Sequence, residues 1–309
     1  MRYIEVEGLR LSVIGLGTWQ FGSREWGYGD GYAADVAPAL VRRAVELGIT
    51  FIDTAEAYGP GRSERIVGAA IRDLDPRPIV ATKLTPIAPA EPIVAWQARG
   101  SARRLGVSSI DLYQVHWPNP FVSPRRVMQS IRPLVEEGLV AHVGVSNYSL
   151  DQWRESEQAL RHPVVSDQVR FSLASPAPLR DLVPYAAERG RVVIAYSPLG
   201  QGLLSGRHGP GARVVGMRRM TPHFRGDGFE RSRPLIGALR EVATAHGATS
   251  AQVALAWLVS HPNVVAIPGA RTIEQLEENV AAADLELSAG EVARLTAEAE
   301  SLEATTTKG

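Results

Sequence analysis

The chain has 309 residues, 33 basic and 33 acidic side chains and no cysteine. The absence of cysteine excludes disulfides, thiolate nucleophiles and zinc–thiolate sites, and the zero net charge gives no reason to expect a nucleic acid or an acidic membrane as partner. No apolar run reaches the roughly 18 residues of a transmembrane helix, and the first residues lack the apolar core of a signal peptide, so we expect a cytoplasmic protein.

Short β-rich runs alternate with helical patterns along most of the chain. Residues 1–12 predict a hairpin. Strands are then predicted at 13–18, 50–54, 78–83, 111–116, 141–146, 164–169, 192–197 and 263–268. Helices are predicted at 35–48, 63–74, 91–106, 123–138, 149–160, 177–190, 249–261 and 272–283, and two extra helices at 231–247 and 288–301.

Eight strand–helix units with short apolar strands are typical of a parallel sheet that is covered on both faces. They favour an α/β fold in which residues 1–309 form a single (β/α)8 TIM barrel, with an N-terminal hairpin and two extra helices, over a doubly wound sheet with a second domain. The connection 198–232 is long and carries six Arg and two His against two acidic residues. It is either a lid that faces an anionic ligand or a solvated basic loop.

The distribution of lysine is unusual. Of the 33 basic residues 31 are Arg, and the two lysines are Lys83 and Lys308. Lys83 ends an apolar strand-like run, whereas Lys308 lies in a polar tail. A compact, titratable ammonium does chemistry that a guanidinium cannot do. We therefore interpret Lys83 as functional, against the alternative of a surface lysine retained by chance.

Several familiar motifs are incomplete in this chain. GLGTWQFG (15–22) lacks the last glycine of a dinucleotide fingerprint, and GVSNY (144–148) lacks the last glycine of a nucleophile elbow. The seven histidines lack the spacing of a zinc-protease motif. The Rossmann, serine-hydrolase and zinc-protease interpretations therefore have no support, and no metal site is expected.

Four polar residues lie at or just beyond the predicted ends of three successive strands: Asp53, Tyr58, Lys83 and His116. Active sites of (β/α)8 barrels lie at the carboxyl ends of the strands, so these side chains should converge. Each residue alone has an ordinary explanation as a helix cap, a loop aromatic or a core histidine. Their joint placement favours a catalytic site.

The chemistry of these four residues fits together. A nearby ammonium, Lys83, would lower the pKa of Tyr58 from its ordinary value of about 10, and Asp53 would hold the ammonium in place. His116 would donate a hydrogen bond to a carbonyl oxygen. Such a set can protonate a developing alkoxide, but it contains no source of hydride, so a nicotinamide cofactor is required.

The sequence resembles the aldo-keto reductase family over almost its whole length. The resemblance is carried by GLGTWQFG, FIDTAEAYG with GRSERIVG, IVATK, SIDLYQVHWP, GLVAHVGVSNY, AYSPLGQGLLSG and AIPGARTIEQLEEN. It implies that Asp53, Tyr58, Lys83 and His116 are the catalytic residues, with Tyr58 as general acid. It also implies that the connection 198–232 covers the cofactor.

The resemblance further implies a set of cofactor contacts, in which Asp53 also takes part. The nicotinamide end would be held by Gly17, Thr18, Trp19, Ser146, Asn147 and Gln168, with its ring stacked on Tyr196. The pyrophosphate segment would be Ser197, Leu199, Gln201, Gly202 and Leu204. The adenosine end would be Gly269, Arg271, Gln275, Glu278 and Asn279.

The chain departs from the family pattern at two places. Many relatives have a basic residue at the position of Gln275 to bind the 2′-phosphate of NADP. Arg271 could replace it, since a guanidinium suits phosphate, so NADPH is the expected cofactor and NADH the alternative. The stretch VRFSLASPAPL also lacks the Asn that relatives carry near Ser172.

The expected substrate is a small-molecule aldehyde or ketone, bound by a monomer or small homo-oligomer. Beside Tyr58 and His116, the aromatic residues Trp19, Trp26, Tyr28, Trp117 and Phe121 would either line an apolar substrate mouth or pack beneath the loops. Two other functions stay open. The chain could be a regulatory NADPH-binding protein with little turnover, similar to potassium-channel β subunits, or a lyase or hydrolase barrel in which Lys83 forms a Schiff base.

Overall fold

The computed structural model describes residues 1–22, 31–206, 222–225 and 227–306. An antiparallel hairpin, β1 (Tyr3–Val6) and β2 (Leu9–Ser12), precedes eight parallel strands. These are β3 (Leu16–Gly17), β4 (Phe51–Asp53), β5 (Ile79–Leu84), β6 (Ile110–Val115), β7 (Val140–Ser146), β8 (Val164–Arg170), β9 (Val192–Tyr196) and β10 (Val264–Ala266).

Helices cover the outer face of the sheet and connect its strands. They are α1 (Trp19–Gly22), α2 (Ala37–Glu46), α3 (Arg62–Ile71), α4 (Glu91–Leu105), α5 (Pro124–Glu136), α6 (Leu150–Leu160), α7 (Leu182–Arg189), α8 (Gly228–Arg231), α9 (Arg233–Ala245), α10 (Ser250–Val259), α11 (Ile273–Ala281) and α12 (Ala289–Thr306). In the part of the chain that is described, no helix is both long and apolar enough to cross a membrane.

The eight parallel strands follow one another in chain order from β3 to β10. An isolated parallel bridge between Ile14 and Ala266 joins the first strand region to the last. The Gly15 amide donates to the Ala266 carbonyl at 2.8 Å, and the Gly17 amide donates to the Pro268 carbonyl at 3.1 Å. The sheet therefore closes on itself, and the predicted (β/α)8 barrel is confirmed.

Apolar side chains of the hairpin fill one end of the barrel. Leu9 and Leu11 pack in one buried cluster with Phe51, Leu112 and Ile194, which belong to strands around the barrel. The residues between these inward-facing positions pack outward against the helices in two larger clusters. This period-two alternation, apolar on both faces, is what a covered parallel sheet requires.

Local caps place several helices beside the open end of the barrel. Ser149 and Gln152 form a capping box at the start of α6, immediately after β7. Thr272 caps α11 by accepting a hydrogen bond from the Gln275 amide at 3.3 Å. These caps fix where the chain turns from strand to helix around the open end.

The structure differs from the sequence prediction in detail. The helix predicted at 177–190 is divided into a 3₁₀ turn, Ala177–Leu179, and α7, because the Asp181 side chain accepts a hydrogen bond from the Leu182 amide and starts a new helix. The first strand is shorter than predicted. Sequence periodicity did not predict short elements such as α1 and the 3₁₀ segment Gly200–Ser205, because each spans too few residues to show a period.

Candidate active site

Three neighbouring strands bring the predicted catalytic residues to the open end of the barrel. Asp53 is the last residue of β4, Lys83 lies near the end of β5, and His116 directly follows β6. Tyr58 lies in the loop between β4 and α3. The parallel register pairs Asp53 with Ala81, so the carboxylate and the ammonium arise from adjacent strands.

The Lys83 ammonium is the centre of this group and is completely buried. Its Nζ donates to Asp53 Oδ1 at 2.6 Å, to the Thr54 carbonyl at 2.9 Å and to the Tyr58 hydroxyl oxygen at 3.1 Å. These three bonds use all three donors of the ammonium. Because the phenol oxygen accepts from Lys83, the phenolic hydrogen is left free to be donated elsewhere.

The second carboxylate oxygen of Asp53 is also fixed. Gln168 Nε2 donates to Oδ2 at 2.7 Å, and Gln114 Nε2 donates to it at 3.2 Å. Sequence analysis missed Gln114. The sequence did contain a signal for Gln114, because it is a polar residue within the mostly apolar strand β6. In the structure Gln114 is paired in register with Lys83.

The pKa of Tyr58 departs from the sequence-based expectation. Burial raises it, the Lys83 charge lowers it and the Asp53 charge raises it, and the net result is a pKa above the ordinary value of 10.0. Lys83 acts in the expected direction, but the loss of solvent around the phenolate outweighs it. Tyr58 is therefore a protonated phenol throughout the neutral pH range.

The charge states of Lys83 and His116, which both contact Tyr58, also follow from their surroundings. Burial is the largest influence on the pKa of Lys83 and lowers it, but the charges of Asp53 and Tyr58 and the hydrogen bonds to both together outweigh burial and raise the pKa, so Lys83 remains an ammonium. Burial, followed by the Lys83 charge, lowers the pKa of His116 to about 3. The His116 ring is therefore a neutral imidazole, and it meets the Tyr58 ring edge to face with centroids 5.8 Å apart.

A cleft of about 680 Å³ begins at this group and runs along the open end of the barrel. The sequence-predicted residues that line it come from every part of the predicted site: Gly17, Trp19, Asp53, Tyr58, His116, Trp117, Ser146, Asn147, Gln168, Tyr196, Ser197, Leu199, Gln201, Gly202, Gly269, Arg271, Gln275, Glu278 and Asn279. The structure thus brings most of the predicted site into one continuous cavity.

The remaining predicted residues are placed elsewhere. Thr18 and Leu204 are completely buried and do not line the cleft. The Thr18 hydroxyl donates to the Asp53 carbonyl at 2.8 Å, so it helps to hold the end of β4 that carries Asp53. Phe121 is 93% exposed and also lies off the cleft. Trp26 and Tyr28 lie outside the described residues.

Side chains at the ends of β7, β8 and β9 are linked by hydrogen bonds. Ser146 Oγ donates to the Gln168 carbonyl at 2.7 Å, Asn147 Nδ2 donates to Ser146 Oγ at 3.0 Å, and the Tyr196 hydroxyl donates to Asn147 Oδ1 at 2.9 Å. Asn147 has a φ of 60°, and Ser197, just past β9, has a φ of 51°. Left-handed backbone at non-glycine residues is costly and is concentrated at functional sites.

The far end of the cleft is built at the start of α11. The Arg271 amide donates to Gln275 Oε1 at 3.0 Å, so the amide oxygen of Gln275 is already engaged by the backbone. Asn279 is buried, and its amide donates to the Gly269 carbonyl at 3.5 Å. The side chain of Arg271 supplies the basic group at this end of the cleft.

The family model for the aldo/keto reductase family matches residues 13–300. The chain belongs to the aldo-keto reductase family. It is 53% identical over 290 residues to an uncharacterized oxidoreductase of Mycobacterium tuberculosis (strain ATCC 25618 / H37Rv), covering 94% of this chain and 90% of that protein. It is 32% identical over 295 residues to the methylglyoxal reductase YeaE of Escherichia coli (strain K12), covering 92% and 90%.

A solved structure extends this comparison. The aldo/keto reductase from Klebsiella pneumoniae in complex with NADP and acetate is 31% identical to this chain and superposes with a TM-score of 0.77, covering 95% of this chain and 93% of that one. The resemblance seen in the sequence is therefore confirmed at the level of family and fold.

The cleft of this aldo-keto reductase also contains residues that sequence analysis missed. Gln20 in α1 donates to the Ala270 carbonyl at 3.0 Å and closes the cleft beside Gly269. Arg170, at the end of β8, lies in the cleft wall. The signal for Arg170 was its position two residues after Gln168, because residues i and i+2 of a strand share a face.

Proposed function

We propose that the protein is an NADP(H)-dependent oxidoreductase that reduces aldehydes or ketones to alcohols, with residues 1–309 acting as a single domain. The observation that carries the proposal is the Lys83 ammonium, which holds the Tyr58 oxygen at 3.1 Å while its charge is balanced by Asp53. The resulting phenol is protonated at neutral pH and lines a cleft large enough for two reactants.

In the proposed reaction the carbonyl oxygen lies between Tyr58 and His116. The neutral imidazole of His116 donates one hydrogen bond to that oxygen and orients it. When bound, the nicotinamide supplies hydride to the carbonyl carbon. Tyr58 then transfers its phenolic proton to the developing alkoxide, and Lys83 stabilises the phenolate that is left behind. Asp53 keeps the ammonium positioned through the transfer.

The chain's own residues fit a nicotinamide dinucleotide. The backbone turns sharply at Gln201 and Gly202, with φ values of 57° and 102°, and both residues line the cleft. An added Cβ at Gly17 would lie 2.7 Å from the backbone carbonyl oxygen of Ile267, so a larger residue there would have to displace the backbone of the cleft wall. Ser146, Asn147 and Gln168 would face the carboxamide.

NADPH is the proposed cofactor and NADH the alternative. Arg271 is the basic group at the far end of the cleft, and a guanidinium binds a phosphate monoester through paired hydrogen bonds. The Klebsiella pneumoniae relative, crystallised with NADP, supports the same choice. The YeaE relative, a methylglyoxal reductase, supports carbonyl reduction as the direction of the reaction.

The direct test is oxidation of NADPH and of NADH by the purified protein in the presence of a panel of aldehydes and ketones. Turnover with NADPH that depends on the carbonyl compound supports the proposal, and the ratio of the two cofactors ranks them. Tight NADPH binding without turnover on any member of the panel would instead support the regulatory function.

The Schiff-base alternative is disfavoured by the environment of Lys83. A lysine that attacks a carbonyl must be reachable and must lose its proton easily. Lys83 is completely buried, all three of its donors are bonded, and its pKa is raised. Borohydride trapping with a carbonyl compound tests this alternative, and we expect no covalent adduct.

A further inference from the structure

Arg170 lies in the wall of the cleft, at the end of the barrel where Asp53, Tyr58, Lys83 and His116 meet. It is the last residue of β8, two positions after Gln168, whose amide bonds Asp53. Residues i and i+2 of a strand point to the same face, and they are separated by about 7 Å. The intervening Val169 and the following Phe171 are buried in the outer core. Arg170 therefore faces the cleft, one step closer to solvent than Gln168.

The charge of Arg170 is uncompensated. Its side chain is exposed, and it forms no hydrogen bond or ion pair with any residue that the structure describes. The other charges at this end of the cleft are balanced, because Lys83 is paired with Asp53 and His116 is neutral. A positive charge on the cleft wall that has no partner among residues 1–22, 31–206, 222–225 and 227–306 can be partnered by a ligand.

The strand order separates Arg170 from the adenosine end of the cleft. Arg170 pairs in register with Tyr196 of β9, whereas Arg271 follows β10 on the other side of β9. His116 follows β6, so only β7 lies between the strand that carries His116 and the strand that carries Arg170. Two strand spacings correspond to about 10 Å. A molecule whose carbonyl is held by His116 can therefore extend toward Arg170.

We propose that Arg170 is a specificity-determining residue that binds a carboxylate of the substrate, separated from the reacting carbonyl by several bonds. The proposal rests on the carbonyl-reductase function proposed above. A guanidinium presents a planar pair of donors that matches a carboxylate, and the partly enclosed cleft strengthens the interaction relative to open solvent. The preferred substrate class is thus an aldehyde or ketone that also carries a remote carboxylate.

The test uses two aldehydes that differ in charge, 4-carboxybenzaldehyde and its neutral methyl ester, methyl 4-formylbenzoate. The full chain, Arg170→Gln, Arg170→Lys and Arg72→Gln are compared, and kcat and KM are measured for each aldehyde with saturating NADPH. Arg72 is a matched control, because it is also exposed and lies at the end of α3, away from the cleft. The KM for NADPH is measured with the ester.

We expect the ratio of kcat/KM for the acid over the ester to fall roughly fivefold to tenfold in Arg170→Gln, mainly through the KM of the acid. Arg170→Lys should recover part of the ratio, and Arg72→Gln should keep the wild-type ratio. An unchanged ratio in Arg170→Gln overturns the proposal. A rise in the KM for NADPH with equal losses on both aldehydes also overturns it, since Arg170 would then serve the cofactor. If the wild type reduces neither aldehyde nor any other carbonyl compound, the proposed function itself fails.

Discussion

Two ion pairs of the same barrel differ in the cation that they use. Lys83 and Asp53 meet at 2.6 Å with both side chains almost fully buried, and the ammonium also reaches Tyr58. Arg104 and Glu64 meet at 2.5 Å, with Glu64 completely buried and Arg104 26% exposed. Asp53 of the first pair lines the cleft, and so does Tyr58, whereas neither Arg104 nor Glu64 lines it.

The difference follows from the geometry of the two cations. The planar guanidinium of Arg104 spreads its donors over Glu64 and Ser101, and Glu56 lies 3.8 Å away, so it ties α4 to its neighbours. The compact ammonium of Lys83 places one positive charge next to one phenol. In a chain in which 31 of 33 basic residues are Arg, one of the two lysines stands where the proposed reaction needs a point charge beside a proton donor.

Replacing Lys83 with Met should have the largest effect. Turnover should fall by roughly 10²–10⁴-fold, because the Tyr58 phenolate loses its stabilising charge. NADPH binding should be nearly retained, since Lys83 does not line the cleft. Steady-state kinetics and NADPH binding by fluorescence are the measurements, and unchanged turnover would contradict the role given to Lys83.

The control for Lys83→Met addresses stability. The single substitution leaves Asp53 buried without its cation, which costs about 3–5 kcal/mol. The double variant Asp53→Asn with Lys83→Met removes that unpaired charge, so it should regain much of the thermal stability while remaining inactive. If the double variant regains activity together with stability, Lys83 is structural only.

Moving Tyr58 without changing any charge should have an intermediate effect. An added Cβ at Gly22 would lie 2.4 Å from the backbone carbon of Tyr58, so Gly22→Ala must displace the loop that carries the phenol. We expect kcat to fall by roughly 10–100-fold, since a displacement of about 1 Å is costly in a catalytic group. Gly237→Ala in α9, where the added Cβ has no neighbour within 4 Å, is the control and should behave as wild type. If the two variants have equal kinetics, the close contact between Gly22 and the Tyr58 backbone does not determine the position of the phenol during turnover.

Breaking the second ion pair should change stability much more than activity. Glu64→Gln weakens the bonds to Arg104 and to the Thr82 hydroxyl, which donates to Glu64 at 2.6 Å. We expect the free energy of unfolding to fall by about 1–3 kcal/mol, with kcat close to that of the wild type. Urea unfolding and steady-state kinetics on the same sample test this. A loss of kcat comparable to that of Lys83→Met would remove the distinction between the two pairs.

The smallest effect should be that of pH on reduction. Tyr58 has a pKa above 10.0, so it holds its proton across neutrality, and His116, with a pKa of about 3, stays neutral over the same range. The kcat for reduction should therefore be flat between about pH 6 and about pH 9 and should decline only as Tyr58 loses its proton at higher pH. A rise or fall in kcat with a midpoint near neutral pH would show that Tyr58 or His116 titrates there.

The fold could be predicted because each strand–helix unit carries its own periodic pattern. Strands such as β5 and β8 are buried on both faces along most of their length, and helices such as α6 begin at a capping box. The break at Asp181 was not predictable from periodicity, because the helical pattern continues across it. Short elements such as α1 depend on tertiary contacts that no local pattern records.

The site could be predicted only in part. Asp53, Lys83 and His116 were found because they stand at strand ends, where a barrel gathers its functional groups. The raised pKa of Tyr58 was missed, because the cost of burial depends on the packed surroundings and not on the residues that are present. Arg170 was overlooked, because its register against Tyr196 requires the assembled sheet.

The most direct test of the account is the turnover of Tyr58→Phe with NADPH and a good carbonyl substrate, measured beside its affinity for NADPH. Phenylalanine keeps the ring that contacts His116 and removes only the hydroxyl bonded to Lys83. The account predicts a fall in kcat of roughly 10²–10⁴-fold with NADPH binding retained. Turnover within about threefold of the wild type would contradict it, because proton donation by Tyr58 would then contribute less than the range expected of a general acid.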